Sequence, residues 1–220
     1  MGRDYAEVLE RLKEERIQRN WTQNDMSRHV HMSQGNYSKI EIGKRRLSYE
    51  ELKYLCGSGV DVHYVFTGQK SDLQMDEFLR QYSYSELVCL LDVISAVIEY
   101  YYTREKIQWK EIYHDIKYIR MITVKEKNDN NLFFLLRRVL NYQQWKMAEL
   151  LGVDIKKLRD LENERCLPDS ELVWRLCNHF NIPPALVLND YACLICQISC
   201  LLKQLDINGR NQVLEIVKIL

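Results

Sequence analysis

The sequence predicts an all-α protein, and three observations support that fold class. Apolar residues make up 46% of the 220 residues, which is enough to form buried cores. They recur at helical spacing along most of the chain, whereas no run alternates in the way that a strand requires. Glycine and proline, which interrupt helices, number only 8 and 3. We therefore expect helices joined by short turns.

The composition limits where the chain can act and what it can bind. Its 31 Lys and Arg residues balance its 31 Asp and Glu residues, so contact with nucleic acid needs a local basic patch. The longest apolar stretch, residues 87–102, contains Asp92 and Glu99 and is too short and too charged to span a bilayer. The sequence has 7 cysteines and no recognisable secretion signal, which favours free thiols in a reducing compartment. We expect a cytoplasmic protein without membrane contact.

Five short helices are predicted between residues 5 and 66. The first spans about Tyr5 to Arg19. Thr22 and Ser48 each begin a capping-box pattern that opens a helix, and Ser33 is placed to cap the helix between them. A short fifth helix completes the segment. The predicted buried side of the first helix consists of Val8, Leu9, Leu12 and Ile17.

The same pattern returns later in the chain, after a polar linker at residues 124–131. The matching residue numbers differ by 121, as 137 does from 16. Polar as well as apolar residues match at this offset, which two unrelated amphipathic helices would not show, so we infer an internal duplication. The matches include Arg16 with Arg137, Asn20 with Asn141, Gln23 with Gln144, Met26 with Met147, Glu41 with Glu162 and Cys56 with Cys177.

Two stretches resemble the Cro and phage-repressor (XRE-type) helix-turn-helix family. Residues 16–47 carry Arg-x6-Gln-x2-Met and then Tyr-x2-Ile-Glu-x-Gly-Lys-Arg-Arg, and residues 137–168 carry Arg-x6-Gln-x2-Met-Ala and then Leu-x2-Leu-Glu-Asn. The resemblance implies two lambda-repressor-like helix-turn-helix units joined by a helical middle segment and followed by a helical tail. The expected parts are an N-terminal DNA-binding domain at 1–70, a helical linker or oligomerisation segment at 71–124, a second helix-turn-helix-like domain at 132–190 and a helical C-terminal tail at 191–220.

The resemblance also implies roles for individual residues. In such units the second helix contacts phosphates and the third lies in the major groove. The arginine of the first helix pairs with the glutamate that ends the third, which gives the structural ion pairs Arg16–Glu41 and Arg137–Glu162. In the first unit the expected DNA-binding residues are Gln23, Ser33, Gln34, Asn36, Ser38, Lys39 and a phosphate clamp of Lys44, Arg45 and Arg46. In the second unit the possible DNA-binding residues are Gln144, Ile155, Lys156, Lys157, Arg159 and Arg165.

The two units depart from the family pattern in different ways. The first has His31 where the turn usually has glycine, and it has Gly35 inside the third helix, which weakens that helix by roughly 1 kcal/mol relative to alanine. The second has the more regular scaffold, but Asp154 and Asp160 stand where phosphates and bases would lie. Because phosphate contact needs positive charge, we expect the first unit to be the DNA reader.

These observations predict a sequence-specific transcriptional regulator, most simply a repressor, that binds double-stranded DNA. Two units spaced by roughly 34 Å would read two half-sites. They are either the two repeats of one chain or the first repeats of a homodimer formed through the middle helices and the apolar tail. The alternative is a protein-interaction module, antitoxin-like or a phage-defence regulator, which uses the same scaffold to bind a protein partner.

The sequence predicts no enzyme, no cofactor and no metal site. Nucleophile, phosphate-loop and metalloprotease motifs are all missing from it. Cys193-x2-Cys196-x3-Cys200 lies in an apolar helix, whereas zinc ligands usually come from paired turns, so these cysteines are expected in a core. Tyr100 and the aromatic residues up to position 118 either pack between helices or line a pocket for a small-molecule or protein effector.

Overall fold

The computed structural model of the chain describes residues 4–70, 72–105, 131–180 and 182–217. Every regular element within these ranges is an α-helix, which confirms the predicted fold class. The predicted linker at 124–131 and the aromatic positions 109, 113 and 118 lie outside the described residues, apart from residue 131. No helix among the described residues is both long enough and apolar enough to cross a membrane.

The first five helices begin and end close to their predicted positions. Thr22, Ser33 and Ser48 each accept a hydrogen bond from the backbone N–H three residues later, so each caps the helix that the sequence assigns to it. Such a cap typically stabilises a helix by about 1 kcal/mol. The helices are α1 (Tyr5–Gln18), α2 (Gln23–His29), α3 (Gln34–Glu41), α4 (Tyr49–Gly57) and α5 (Val62–Thr67).

The predicted buried side of α1 is wrong at one residue. Ile17 is 53% exposed, whereas Glu15 is only 3% exposed. The reason is a polar contact between helices. The carboxylate of Glu15 accepts from the backbone N–H of Asp61, the residue that caps α5, at 3.1 Å. It also pairs with Arg19 at 2.5 Å. At its C-terminal end, α1 therefore turns Glu15 rather than Ile17 towards the start of α5.

The rest of the chain adds nine described helices, and the tail packs on its own chain. The helix that begins the tail contacts α4 and α5 of the first unit as well as the middle helices. The tail helices break at residues 205–206, and Gly209 lies inside the last helix. The helices are α6 (Leu73–Leu79), α7 (Tyr84–Glu105), α8 (Leu132–Val139), α9 (Gln144–Leu151), α10 (Ile155–Glu162), α11 (Ser170–Phe180), α12 (Pro184–Leu188), α13 (Tyr191–Gln204) and α14 (Ile207–Val217).

The described backbone of the second repeat, residues 132–180 and 182–189, follows that of residues 11–68 at the offset of 121. The first repeat is hereafter residues 5–68, which include the start of α1. Helix α10 begins and ends 121 residues after α3 does, since 155 minus 34 and 162 minus 41 both give 121. Left-handed backbone conformations recur at the same spacing, and the last pair lies beyond the matches visible in the sequence. The pairs with positive φ are Asn20 and Asn141, His31 and Gly152, Gly43 and Glu164, and Gly68 and Asn189.

The two repeats pack against each other through exchanged contacts. Helix α4 of the first repeat contacts α12 of the second, and α5 contacts α11. At the repeat offset, α11 is the counterpart of α4 and α12 is the counterpart of α5. Helices α5 and α12 also contact each other. Exchanged contacts of this kind are those of an isologous dimer, in which a two-fold axis relates the units. Here both units belong to one chain.

Polar bonds that have no exchanged counterpart also join the repeats. The hydroxyls of Tyr5 and Ser170 lie 2.6 Å apart in a buried contact. Ser170 also donates its backbone N–H to the carbonyl of Leu47 and accepts from the Leu47 N–H, both at 3.0 Å. The guanidinium of Arg46 pairs with Glu171 at 2.5 Å. The segment after α3 is thus fastened to the start of α11.

Two glycine-to-alanine substitutions should have different effects on the free energy of unfolding. Gly152 has φ +63, and a Cβ there would lie 1.9 Å from Nη1 of Arg175, which donates to the carbonyl of Leu151 at 2.7 Å. We expect Gly152→Ala to lower the free energy of unfolding by about 1–2 kcal/mol, because a left-handed residue gains a Cβ and Arg175 must move. Gly57→Ala, at a helical glycine with open space around it, should be neutral or stabilising by up to about 1 kcal/mol. Urea unfolding of both variants measures the difference. Equal effects would contradict the requirement for glycine at position 152.

Candidate nucleic-acid interface

Helix α3 has one buried face and one polar exposed face. Tyr37 and Ile40 are fully buried against the first repeat's core. Gln34, Asn36 and Lys39 are exposed, whereas Ser38 is half-buried. Ser33 caps the helix by accepting from the N–H of Asn36 at 3.3 Å. The structure therefore places most of the predicted base-reading side chains on one accessible helix, and Ser33 acts at the helix start.

An ion pair joins the end of α3 to α1. Nε of Arg16 donates to Oε1 of Glu41 at 2.6 Å, and Nη2 donates to Oε2 at 3.2 Å. The remaining Nη1 donates to the carbonyl of Trp21 at 2.9 Å. The Arg16 and Glu41 side chains are 11% and 4% exposed. A planar guanidinium that binds both carboxylate oxygens fixes the angle at which α3 leaves the core.

The ion pair extends to the exposed surface through two glutamines. Nε2 of Gln23 donates to Oε2 of Glu41 at 2.8 Å. Nε2 of Gln34 donates to Oε1 of Gln23 at 2.9 Å. Gln23 therefore connects the buried carboxylate of Glu41 to the first exposed side chain of α3. This bond restricts the Gln34 amide before any partner arrives, which lowers the entropy cost of binding.

The charge on Glu41 depends on this network. Burial acts to raise the pKa of Glu41, but hydrogen bonds from Arg16 and Gln23 outweigh burial, and the pKa lies below its ordinary value of 4.5. The carboxylate thus stays ionised in the folded protein at neutral pH. Its charge in turn raises the pKa of Arg16 through their hydrogen bond.

The second repeat contains the same network up to its outer end. Arg137 pairs with Glu162 through Nε, and its Nη2 donates to Glu162 Oε2 at 3.2 Å. Gln144 donates to Oε2 of Glu162 at 2.7 Å, as Gln23 does to Glu41. The position of Gln34 is taken by Ile155, which is 43% exposed and has no amide to donate. The repeats share their inner bonds and differ at the exposed side chain.

The basic run after α3 is largely bound within the protein. Arg45 donates to Oε1 of Glu51 at 2.6 Å. Arg46 pairs with Glu171 and lies over the Tyr5 ring at 4.9 Å. Lys44 is exposed. The predicted clamp of three cations did not anticipate these carboxylate partners, which come from α4 and from the second repeat. Lys44 is the cation of this run that the structure leaves at the surface.

The acidic residues of the second repeat have local structural roles. Asp154 caps α10 by accepting from the N–H of Lys157 at 2.7 Å, as Ser33 caps α3. Oδ1 of Asp160 lies 3.9 Å from Nη1 of Arg165. Their presence is therefore weaker evidence against DNA contact than the sequence suggested. Most basic side chains of this face are exposed, namely Lys156, Arg159 and Arg165, and Lys157 is half-buried.

Comparison with known proteins identifies the type of the first domain. Residues 9–58 match the family model of a helix-turn-helix domain, a segment that runs from within α1 to the end of α4. This confirms a helix-turn-helix domain in the N-terminal part of the chain, the domain type of DNA-binding regulators. No curated protein and no solved structure matches the chain.

Protonation of Glu41 should destabilise the protein at acid pH. Because the folded-state pKa of Glu41 is lowered, its stabilising contribution is present above about pH 4.5 and is lost as the pH falls through the folded-state value. We expect Glu41→Gln to lower stability at pH 7 and to remove this part of the acid dependence. The measurement is urea unfolding between pH 7 and pH 3. Glu10→Gln, at an exposed position of α1, controls for the loss of one negative charge. An unchanged pH profile in Glu41→Gln would contradict the role of the network.

Proposed function

We propose that this protein is a sequence-specific transcriptional regulator that binds double-stranded DNA by placing α3 in the major groove. The observation that carries the proposal is the helix-turn-helix match at residues 9–58 together with the polar, accessible face of α3. Repression by occlusion of a promoter is the simplest outcome of such binding. This mechanism does not require the homodimer that the sequence offered as one way to bring two units together.

Each residue of the α3 surface has a role that follows from its contacts. Gln34 and Asn36 offer amides that bind adenine edges through two hydrogen bonds, and Lys39 reaches guanine acceptors. Gln23 orients Gln34 through its 2.9 Å bond. Lys44 contacts phosphate, which adds affinity without sequence preference. In the chain without DNA, Arg45 and Arg46 hold the segment after α3 in place through Glu51 and Glu171.

We also propose that one chain supplies both DNA-binding units. The exchanged contacts between α4, α5, α11 and α12 resemble those of a two-fold dimer. Two units related in this way read half-sites about one helical turn, roughly 34 Å, apart. Lys156, Lys157 and Arg159 then contact the second half-site, with Gln144 and Arg165 on phosphates. The first repeat supplies most of the base recognition.

A protein-interaction module is the second candidate function, and one observation favours it. Trp145 on α9 is 58% exposed and Ile155 on α10 is 43% exposed, whereas Asn24 and Gln34 hold these positions in the first repeat. Exposed tryptophan is frequent at the centre of protein interfaces. Under this reading the second repeat binds a protein, and the first either binds DNA or has no DNA site.

The roles within α3 predict two kinds of DNA-binding defect. A site is first selected from random duplexes by the full chain. We expect Gln34→Ala to weaken binding to the selected site by about 1–3 kcal/mol, because two hydrogen bonds to a base are lost. The preference for one base at the position that Gln34 contacts should also relax. Lys44→Ala should weaken binding to all DNA sequences alike. It should also reduce the slope of the logarithm of the binding constant against the logarithm of the salt concentration by about 1. Fluorescence anisotropy across a salt series measures both, with Lys13→Ala on α1 as the control. Failure of the selection to enrich any sequence would contradict the proposed function.

The internal pair of units predicts the stoichiometry of the complex. One chain should occupy the whole selected site, and Lys156→Ala combined with Lys157→Ala should shorten the protected footprint to one half-site. The reason is that the second repeat loses two of its cationic contacts to the second half-site while the first repeat keeps all of its own contacts. Sedimentation of the protein–DNA complex and footprinting measure these two quantities. Two chains per site, with a footprint that the double substitution does not alter, would instead indicate a homodimer reading DNA with its first repeats.

A further inference from the structure

Two cysteines from distant parts of the chain meet inside the protein. Cys56 lies on α4 of the first repeat and Cys193 lies in the first turn of α13, in the tail. Their sulfur atoms are 3.4 Å apart, and each residue is 2% exposed. None of the seven cysteines, all of which are described, forms a disulfide.

A carboxylate completes the cluster. Asp190 is the N-cap of α13, and its Oδ1 accepts from the N–H groups of Ala192 and Cys193 at 3.0 and 3.3 Å. A carboxylate oxygen of Asp190 and both sulfurs lie within 4.8 Å of one another. Lys53 Nζ lies 3.4 Å from Oδ2 of Asp190. Two thiols, one carboxylate and one ammonium thus converge from α4 and the start of α13.

The spacing of the sulfurs fits a metal ion better than a disulfide. In a tetrahedral site with zinc–sulfur bonds of about 2.3 Å, two sulfur ligands lie about 3.8 Å apart. A disulfide requires about 2.0 Å. The observed 3.4 Å differs from the first distance by a few tenths of an ångström and from the second by more than one.

We propose that Cys56, Cys193 and Asp190 bind a thiophilic divalent cation of the zinc class, with water as the fourth ligand. On binding, two S–H bonds break, two metal–sulfur bonds form and two protons pass to solvent. Two thiolates and one carboxylate carry three negative charges, and the dication with the Lys53 ammonium carries three positive charges. The buried site is therefore neutral, which limits its desolvation cost. The Asp190 side chain is 17% exposed, which gives a water ligand a path to the ion.

The site would join the tail to the DNA-binding repeat. Cys56 is more than 130 positions from Asp190 and Cys193, and the ion would hold α13 against α4 beside the contacts of α13 with α5. The sequence predicted core packing for Cys193, because ligands from one apolar helix are unusual. The structure supplies the second element, α4. Cys177, the counterpart of Cys56 in the second repeat, is also buried and provides a matched control.

The test is cobalt titration of the reduced, metal-free full chain. We expect one Co²⁺ per chain, with the thiolate-to-cobalt absorption of a tetrahedral site, displaced by Zn²⁺. Cys56→Ser and Cys193→Ser should each lose that absorption, and Asp190→Asn should weaken binding at least tenfold. Cys177→Ser and the exposed-site variant Cys89→Ser should bind as the unsubstituted chain does. Circular dichroism establishes that each variant is folded.

A measurement on the unsubstituted chain guards against variants that fail to fold. X-ray absorption of the zinc-loaded protein should show two sulfur and two oxygen ligands. Absence of the cobalt absorption would overturn the proposal, as would three or more sulfur ligands, which would place the ion at Cys196 or Cys200. A Cys56–Cys193 disulfide in the unreduced chain without metal uptake would also overturn it and identify a redox pair.

Discussion

The surface of α3 depends on the ion pair between Arg16 and Glu41. Two charges that are mostly withdrawn from water cost several kcal/mol of desolvation, and such a pair adds little net stability unless all its hydrogen bonds are made. Here both oxygens of Glu41 accept from Arg16, which also donates to the Trp21 carbonyl, and Gln23 adds a further donor to the same carboxylate. The network therefore acts less as a source of stability than as a means of fixing one position for α3. Gln34 takes its orientation from the outer end of this network.

The two repeats show which features the fold requires and which are open to change. Arg137, Glu162 and Gln144 reproduce the inner bonds of the network, and the left-handed residues recur at matching positions. The exposed positions differ: an amide in the first repeat stands where an isoleucine stands in the second. Because the left-handed positions and the Arg–Glu–Gln bonds are shared, we infer that a difference in function between the repeats arises from side chains outside this network, the exposed ones first.

Local features of the fold were predictable from the sequence, and long-range ones were not. A capping serine or threonine binds a backbone N–H only three residues later, so a short stretch of sequence is enough to recognise it. The starts of α2, α3 and α4 were therefore predicted correctly. Repetition at a fixed offset likewise revealed the duplication. Contacts such as Arg46 with Glu171 or Cys56 with Cys193 join positions more than 120 residues apart, and single-sequence patterns carry no signal for them. The error at Ile17 has a related cause, since the face of a short helix depends on what packs against it.

The contact of Arg46 with the second repeat connects the two units in a way that bears on DNA binding. Glu171 binds two guanidinium groups, those of Arg46 and Arg175, and their hydrogen bonds outweigh burial to lower its pKa. If a phosphate draws Arg46 away, Glu171 keeps the bond to Arg175 and is not left as an uncompensated charge, which would be the main cost of breaking such a pair. Arg46 can therefore exchange Glu171 for a phosphate at small cost, because its stacking on Tyr5 and its bond to the Gly43 carbonyl do not involve Glu171. Binding at α3 would then loosen one polar link between the repeats while the helix contacts of α5 with α11 and α12 persist. Under the proposed function, the predicted phosphate contact and the observed contact with Glu171 are alternatives for the same arginine, and the sequence indicated only the first.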